Sequence, residues 1–302
     1  MDFLLLSLLN GLSYGLLLFL LCSGLTLIYS LMGVLNFAHA AFYVLGAYLA
    51  YALSLYLGFW AALLLAPLAL AALGALVERC LMRRMQSHLA EMLMTFALAI
   101  LMLEGVQLVW GNAPVDYRVP SALEGAWLQW AGVSLPTYRL FIMAVALLVL
   151  SLLALVLRSS RVGLVLKAAL THAPMVQALG HDVPRLFTAI FALGCGLAGL
   201  AGALGGNAFV TEPGMAATLG SVLFVVIVVG GLGSLGGALL ACLLIGCLQT
   251  LAIGLDGNLG SWLGLPGPLA GLKLSQLAPL LPYALMVLVL VLRPRGLMGQ
   301  RP

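Results

Sequence analysis

The stretch VVIVVGGLGSLGGALLAC, residues 225–242, has two readings that lead to different folds. Gly231-x-Gly233-x-x-Gly236 has the spacing of a dinucleotide-binding fingerprint and follows a β-branched run; Asp256 lies 20 residues beyond Gly236, where a ribose-binding acid belongs. The same glycines would serve equally to bring two apolar helices together inside a bilayer. The solvent around the chain decides between them.

Of the 302 residues, 64% are hydrophobic and only 7% are charged; an ordinary soluble domain has roughly 25% charged. Between Asp2 and Glu78 run 75 consecutive residues without Asp, Glu, Lys or Arg. A bilayer-crossing helix takes about 20 mostly apolar residues, so this run holds two full spans and a third or re-entrant piece. The protein is expected to be integral to the membrane. A dinucleotide fold needs βαβ units with polar outer helix faces, and no such units are present. The glycines are therefore assigned to packing, with Gly233-x-x-x-Gly237, Gly202-x-x-x-Gly206 and Gly11-x-x-x-Gly15 as small-residue pairs. The run through Gly230, Gly231, Gly233, Gly236 and Gly237 is either a hinge between two short helices or a tight cytoplasmic turn.

The first apolar stretch lacks a positive n-region and is too long for a signal peptide, so it is expected to remain as the first span. The five cysteines lack metal-ligand spacing and are expected to be buried free thiols. Helices are expected over 4–30, 36–57, 59–77, 89–110, 138–157, 185–206, 219–230, 237–254 and 277–292, eight or nine in all depending on whether the shorter ones cross. Ten of the 13 Lys and Arg lie in loop 78–88, loop 158–185 and the tail, which places these segments in the cytoplasm. Segments 111–137 and 255–276 then lie outside. The first residues lie outside if all nine helices cross, and inside if one early segment is re-entrant.

Polar side chains within hydrocarbon mark candidate cargo paths. Asn36 and His39 share a helical face, and Tyr43 continues it four residues on. With Phe37 and Gly46 they form a helix start or break that either lines a central cavity or simply caps a helix and buries a hydrogen bond. Glu104 stands about 22 Å into its helix at 1.5 Å per residue. It has three possible roles: meeting a cargo amino group, pairing with a partner's basic residue, or bonding to a carbonyl. The outer stretch WGNAPVDYRVPSALEGAWLQWAGVSLP (110–136) carries Trp110, Trp127 and Trp130, as an interfacial belt does. Thr211-Glu212-Pro213-Gly214 is expected to be an external turn.

The stretch RSSRVGLVLKAALTHAPMVQALGHDVPR (158–185) is too polar to span. Val165, Leu166, Ala169, Met175, Val176 and Leu179 give it an intermittent apolar face. Short helices parallel to the membrane would suit it, docking either a cytoplasmic subunit or lipid.

Here the chain resembles a known family, the branched-chain amino acid ABC permeases of the LivH type. The resemblance is carried in collinear order by five stretches: 24–48 (GLTLIYSLMGVLNFAHAAFYVLGAY), 92–111 (MLMTFALAILMLEGVQLVWG), 165–204, 228–241 (VVGGLGSLGGALLA) and 290–299 (LVLRPRGLMG). The chain departs from the family at Ala40-Ala41, where Gly-Glu is usual, at Thr171-His172, where an acidic pair is usual, and at Glu104, where glutamine is common. The resemblance implies an all-α polytopic fold, one permease domain over 1–302, and an ATPase-coupling loop at 158–185 with Lys167, Ala168, His172, Gly180, Asp182 and Arg185. It also implies a second permease subunit, two cytoplasmic ATP-binding subunits, a periplasmic solute-binding protein and a place in the bacterial inner membrane; no nucleic acid is among the partners. The chain has no G-x-x-x-x-G-K-[ST] loop, so ATP is expected to be used by the partners and no cofactor or metal is expected here. The implied cargo is leucine, isoleucine or valine, with urea, short amides or another small solute as alternatives. A self-sufficient secondary transporter or channel has only His39 and Glu104 as mid-membrane ionisable groups, and a membrane enzyme would have to work with four scattered histidines.

Overall fold

A computed structural model describes residues 2–85, 87–130, 133–255 and 273–299. Asp256 lies outside them. The described chain is almost entirely helical: α1 (Asp2–Met32), α2 (His39–Leu57), α3 (Phe59–Cys80), α4 (His88–Trp110), α5 (Thr137–Ser159), α6 (Arg161–Ala178), α7 (Val183–Ala208), α8 (Met215–Gly230), α9 (Leu235–Gly254), α10 (Leu274–Leu277) and α11 (Leu281–Leu292). Among the described residues eight helical stretches are long and apolar enough to cross a membrane, with Met215–Gly230 as a shorter apolar helix. Composition expressed these elements well, because a backbone in hydrocarbon satisfies its hydrogen bonds only within its own helix.

One element was not expected. The outer loop folds into an antiparallel hairpin of β1 (Ala126–Trp130) and β2 (Val133–Pro136), with Leu128 opposite Leu135 and Trp130 opposite Val133. At the head of α5 the backbone N–H and the hydroxyl of Thr137 both donate to the Gly125 carbonyl, at 3.0 and 3.1 Å. The strands are too short for hydropathy to separate them from an interfacial loop.

Helices α1, α2, α3 and α7 form the centre, and α9 packs along α1. Glycine makes this possible. A Cβ on Gly46 of α2 would fall 2.6 Å from the Gly199 Cα of α7, and one on Gly246 of α9 would fall 2.5 Å from the Gly11 carbonyl of α1. Interhelical backbone contacts of this kind replace the hydrophobic drive that lipid removes.

The direction of α1 follows from its last turn. Ser30 Oγ donates to the Gly233 carbonyl at 2.9 Å, so the end of α1 sits against the turn between α8 and α9. That turn also receives the tail: Leu297 N–H donates to the Val229 carbonyl at 2.8 Å and Met298 N–H to the Gly230 carbonyl at 3.1 Å. Arg293 and Arg295 lie on this tail, so this face is cytoplasmic by the positive-inside rule. Helix α1 therefore runs from the outer face inward, which matches the alternative in which all nine segments cross.

The fingerprint glycines make a compact turn. Gly231 and Gly233 take φ of +97° and +78°, which L-residues with side chains rarely adopt. Gly237 packs directly on the Gly230 carbonyl. Ser234 caps α9, its hydroxyl accepting from Gly237 N–H at 3.1 Å.

Candidate functional site: a polar-floored pocket between two helices

The link between α1 and α2 is the main irregularity within the apolar core. Gly33 turns the chain with φ +67°. Asn36 holds the turn that leads into α2: its Oδ1 accepts from Ala38 N–H at 3.0 Å and its carbonyl from His39 N–H at 3.1 Å. Phe37 N–H donates to Thr95 Oγ1 of α4 at 3.3 Å. Polar groups from three elements thus satisfy a chain reversal below the membrane surface.

His39 is 1% exposed, and its Nε2 lies 2.9 Å from the Leu21 carbonyl. A carbonyl only accepts, so Nε2 carries the proton and the neutral ring has its lone pair on Nδ1. That Nδ1 has no hydrogen-bond partner, and neither has the Nδ2 of Asn36, a residue 3% exposed. Both residues line one pocket of about 70 Å³, walled by Leu25, Leu35, Leu223, Phe224 and Ile227. Phe37 and Phe224 flank it, 44% and 48% exposed, and the Phe37 ring meets Phe96 edge-on at 6.5 Å. The residues that line the pocket carry one unpaired donor and one unpaired acceptor, both sealed from solvent, and its walls are apolar.

Of the six residues expected along the path, Asn36, Phe37 and His39 line this pocket. Tyr43 and Gly46 do not. Tyr43 is buried with its hydroxyl on Gly205, and Gly46 seats against Gly199. The i, i+4 spacing puts Tyr43 and His39 on one face of α2, but α7 covers that face beyond the first turn. Glu104 is exposed and nine residues beyond buried Thr95, a rotation of about 180° at roughly 100° per residue, so it faces away from α2 and the pocket. The pocket wall supplied by α8 was missed, because nothing in an apolar run names the residue it will face.

The segment 158–185 forms α6 on the cytoplasmic face. Its apolar residues divide. Ala169 and Val176 cluster with Val183, against Val165, Leu186 and Phe187, tying α6 to the start of α7. Leu164, Met175 and Leu179 are 73%, 62% and 75% exposed. Lys167, Ala168 and His172 lie on the exposed side, and His172 breaks the helix with φ −146° and ψ 69°, two residues before Pro174. Gly180 turns the chain at φ +88°. Asp182 caps α7, accepting from Arg185 N–H at 3.0 Å, and its side chain pairs with that of Arg185 at 2.8 Å. Of the glycines expected to pack helices, Gly202 lies on the Tyr43 carbonyl, Gly206 faces Tyr117 and Ala47, and Gly236 faces Met298.

Three residues not expected at any site join α3 to α7 just behind this segment. Glu78 is 3% exposed; Arg83 donates to it at 3.2 and 3.3 Å, and the Thr188 hydroxyl donates to it at 2.5 Å. Arg83 also donates to Thr188 Oγ1 at 2.6 Å and to the Pro184 carbonyl at 3.0 Å. A separation of 110 residues hid this cluster from any local pattern. On the outer face Thr211 is buried and its hydroxyl donates to the Gly206 carbonyl at 2.9 Å. In the adjoining loop, the hydrogen bond from Arg118 holds the Asp116 carboxyl below the usual carboxylate range. Among the described residues no group of three His, Cys, Asp or Glu gathers that could hold a metal ion.

A family model described as "Branched-chain amino acid transport system / permease component" matches residues 7–290. The chain is 26% identical to the high-affinity branched-chain amino acid transport system permease protein LivH of Salmonella typhimurium, over 96% of this chain and 94% of that protein. It is 26% identical to the corresponding protein BraD of Pseudomonas aeruginosa, over 97% and 95%. LivM of Salmonella typhimurium, a second permease protein of the same system, is 29% identical over 91% of this chain and 66% of that protein. With the helices, the α1–α2 break and the glycine turn in place, a match over residues 7–290 shows that this chain belongs to the family of branched-chain amino acid transport system permease components.

Proposed function

We propose that the protein is the membrane-spanning permease subunit of an ATP-driven importer for leucine, isoleucine and valine in the bacterial inner membrane. The observation that carries this reading is the pocket between the α1–α2 link and α8. Its walls are apolar, and Asn36 and His39 at its floor each hold a buried, unpaired polar atom. An unpartnered buried donor or acceptor costs about 1–3 kcal/mol, so a floor with two of them suits cargo or water better than lipid. The exposed Phe37 and Phe224 then belong to a face that meets another subunit. Two different permease proteins, LivH and LivM, belong to one system in Salmonella typhimurium, which supports a heterodimer.

In this reading the whole chain is one translocating domain. A binding protein delivers the solute outside, and two ATPase subunits dock on α6 through Leu164, Met175 and Leu179. ATP is bound and hydrolysed by those subunits. Their closure pushes α6 against the start of α7, and the helices around the pocket change the side to which it opens. The chain makes and breaks no bond of the cargo.

The test is reconstitution of this chain in proteoliposomes with a second permease, two ATPase subunits and a solute-binding protein of the same family of systems. ATP-dependent uptake of radiolabelled L-leucine is expected, and omission of either permease abolishes it. Uptake of urea or short amides with no uptake of any aliphatic amino acid would overturn the cargo. Uptake driven by an ion gradient with this chain alone would overturn the ATP-driven mechanism.

A further inference from the structure

We infer that the pocket floor reads the two charged ends of a zwitterion separately, Asn36 Nδ2 donating to the cargo's carboxylate and His39 Nδ1 accepting from its ammonium. This rests on the reading that the pocket lies on the cargo path. It goes further by naming which atom recognises which group.

Each assignment follows from bonds already spoken for. The Oδ1 of Asn36 is held by Ala38 N–H at 3.0 Å, and this fixes the amide so that only its NH₂ is left. An NH₂ only donates, so its complement is an anion or a carbonyl. The Nε2–H of His39 is held by the Leu21 carbonyl at 2.9 Å, leaving Nδ1 as a lone pair whose complement is a donor. A solute with an acceptor and a donor on one carbon satisfies both atoms. A carboxylic acid without the amine, or an amine without the acid, leaves one of them buried and unpaired, and sites built on such groups reject the deficient analogue strongly. A space of about 70 Å³ takes a few waters or a small polar head. The aliphatic part of the cargo then lies against Leu223, Phe224 and Phe37. Among the described residues no charged side chain lines the pocket, so neutral hydrogen-bonding groups must discriminate the head.

The experiment uses the reconstituted importer and measures competition against radiolabelled L-leucine by 3-methylbutylamine, which lacks the carboxylate, and by 4-methylpentanoate, which lacks the ammonium. Binding to the assembled permease pair is read without the binding protein, so that its own selectivity does not enter. Leucine is expected to compete about tenfold or more better than either analogue. Asn36→Asp keeps the oxygen that accepts from Ala38 N–H and removes the donor; it should erase the advantage of leucine over the amine while preserving its advantage over the acid. His39→Leu removes the ring lone pair together with the bond to the Leu21 carbonyl and brings no new acceptor; it should do the reverse. These ratios do not depend on how much protein folds. Equal losses for all three ligands in both variants, or unchanged ratios, would overturn the inference and leave the floor to ordered water. An unsubstituted importer that binds no leucine would overturn the proposed cargo instead.

Discussion

Glu78 ends the long uncharged run and is itself buried, which a carboxylate tolerates only with partners. Arg83 and Thr188 supply them. Arg83→Ala leaves the carboxylate with one hydroxyl. Breaking a buried pair costs about 3–5 kcal/mol. The arginine side chain is 38% exposed and solvent screens part of that, so about 2 kcal/mol is the expected loss, read as a lowered Tm of the purified permease. Arg83→Lys should recover only part of it, because a single ammonium cannot reach both Glu78 oxygens, Thr188 and the Pro184 carbonyl as the guanidinium fork does. At this scale the sequence is a partial guide. Asn36 and His39 stand out because polar side chains are rare in such a run. Arg83 does not, because on a basic cytoplasmic loop it looks like any other residue that orients the chain.

Elements meet in this protein through glycine, and the tolerance of each glycine depends on what faces it. Gly237 in α9 lies on the Gly230 carbonyl, so a methyl has nowhere to go. Gly105 in α4 has nothing within 4 Å of an added Cβ. Gly237→Ala is expected to destabilise by about 1–3 kcal/mol and Gly105→Ala to be neutral or slightly stabilising, since alanine favours a helix by roughly 1 kcal/mol over glycine. Thermal unfolding of the two variants in one detergent compares them directly. Equal effects would contradict the close approach of α8 and α9. Small-residue spacing marks Gly202, Gly206 and Gly237, which lie against the Tyr43 carbonyl, Tyr117 and the Gly230 carbonyl; Gly46, expected along the cargo path, lies against Gly199. The spacing says that a helix can be approached closely but not which neighbour comes. The hairpin of β1 and β2 was likewise hidden, since WLQW carries two tryptophans expected of an interfacial loop and VSLP is only four residues long.

The whole molecule has a sidedness that labelling can read. The geometry puts the start of α1 and the hairpin at the outer face, and α6 at the inner one. In a cysteine-free background of right-side-out vesicles, Leu5→Cys and Trp127→Cys should react with an impermeant maleimide. Leu164→Cys, exposed on α6, should react only after permeabilisation. Labelling of Leu5→Cys from the inside alone would mean that an early segment is re-entrant. Basic-residue counts settled the faces from residue 78 onward but left the first helix open, because no Lys or Arg precedes Arg79. The contact from Ser30 to Gly233 resolves it, and it joins positions 203 residues apart.

The tail that crosses the glycine turn also bears on the order of biosynthesis. Helix α8 leaves the ribosome well before Leu297 and Met298, which cover the carbonyls of Val229 and Gly230. Until those residues arrive, the inner end of α8 lacks its final partners, and α8 is one wall of the pocket. A chain arrested before Leu297 and Met298 emerge can therefore be inserted and helical while one wall of the pocket still lacks these two bonds.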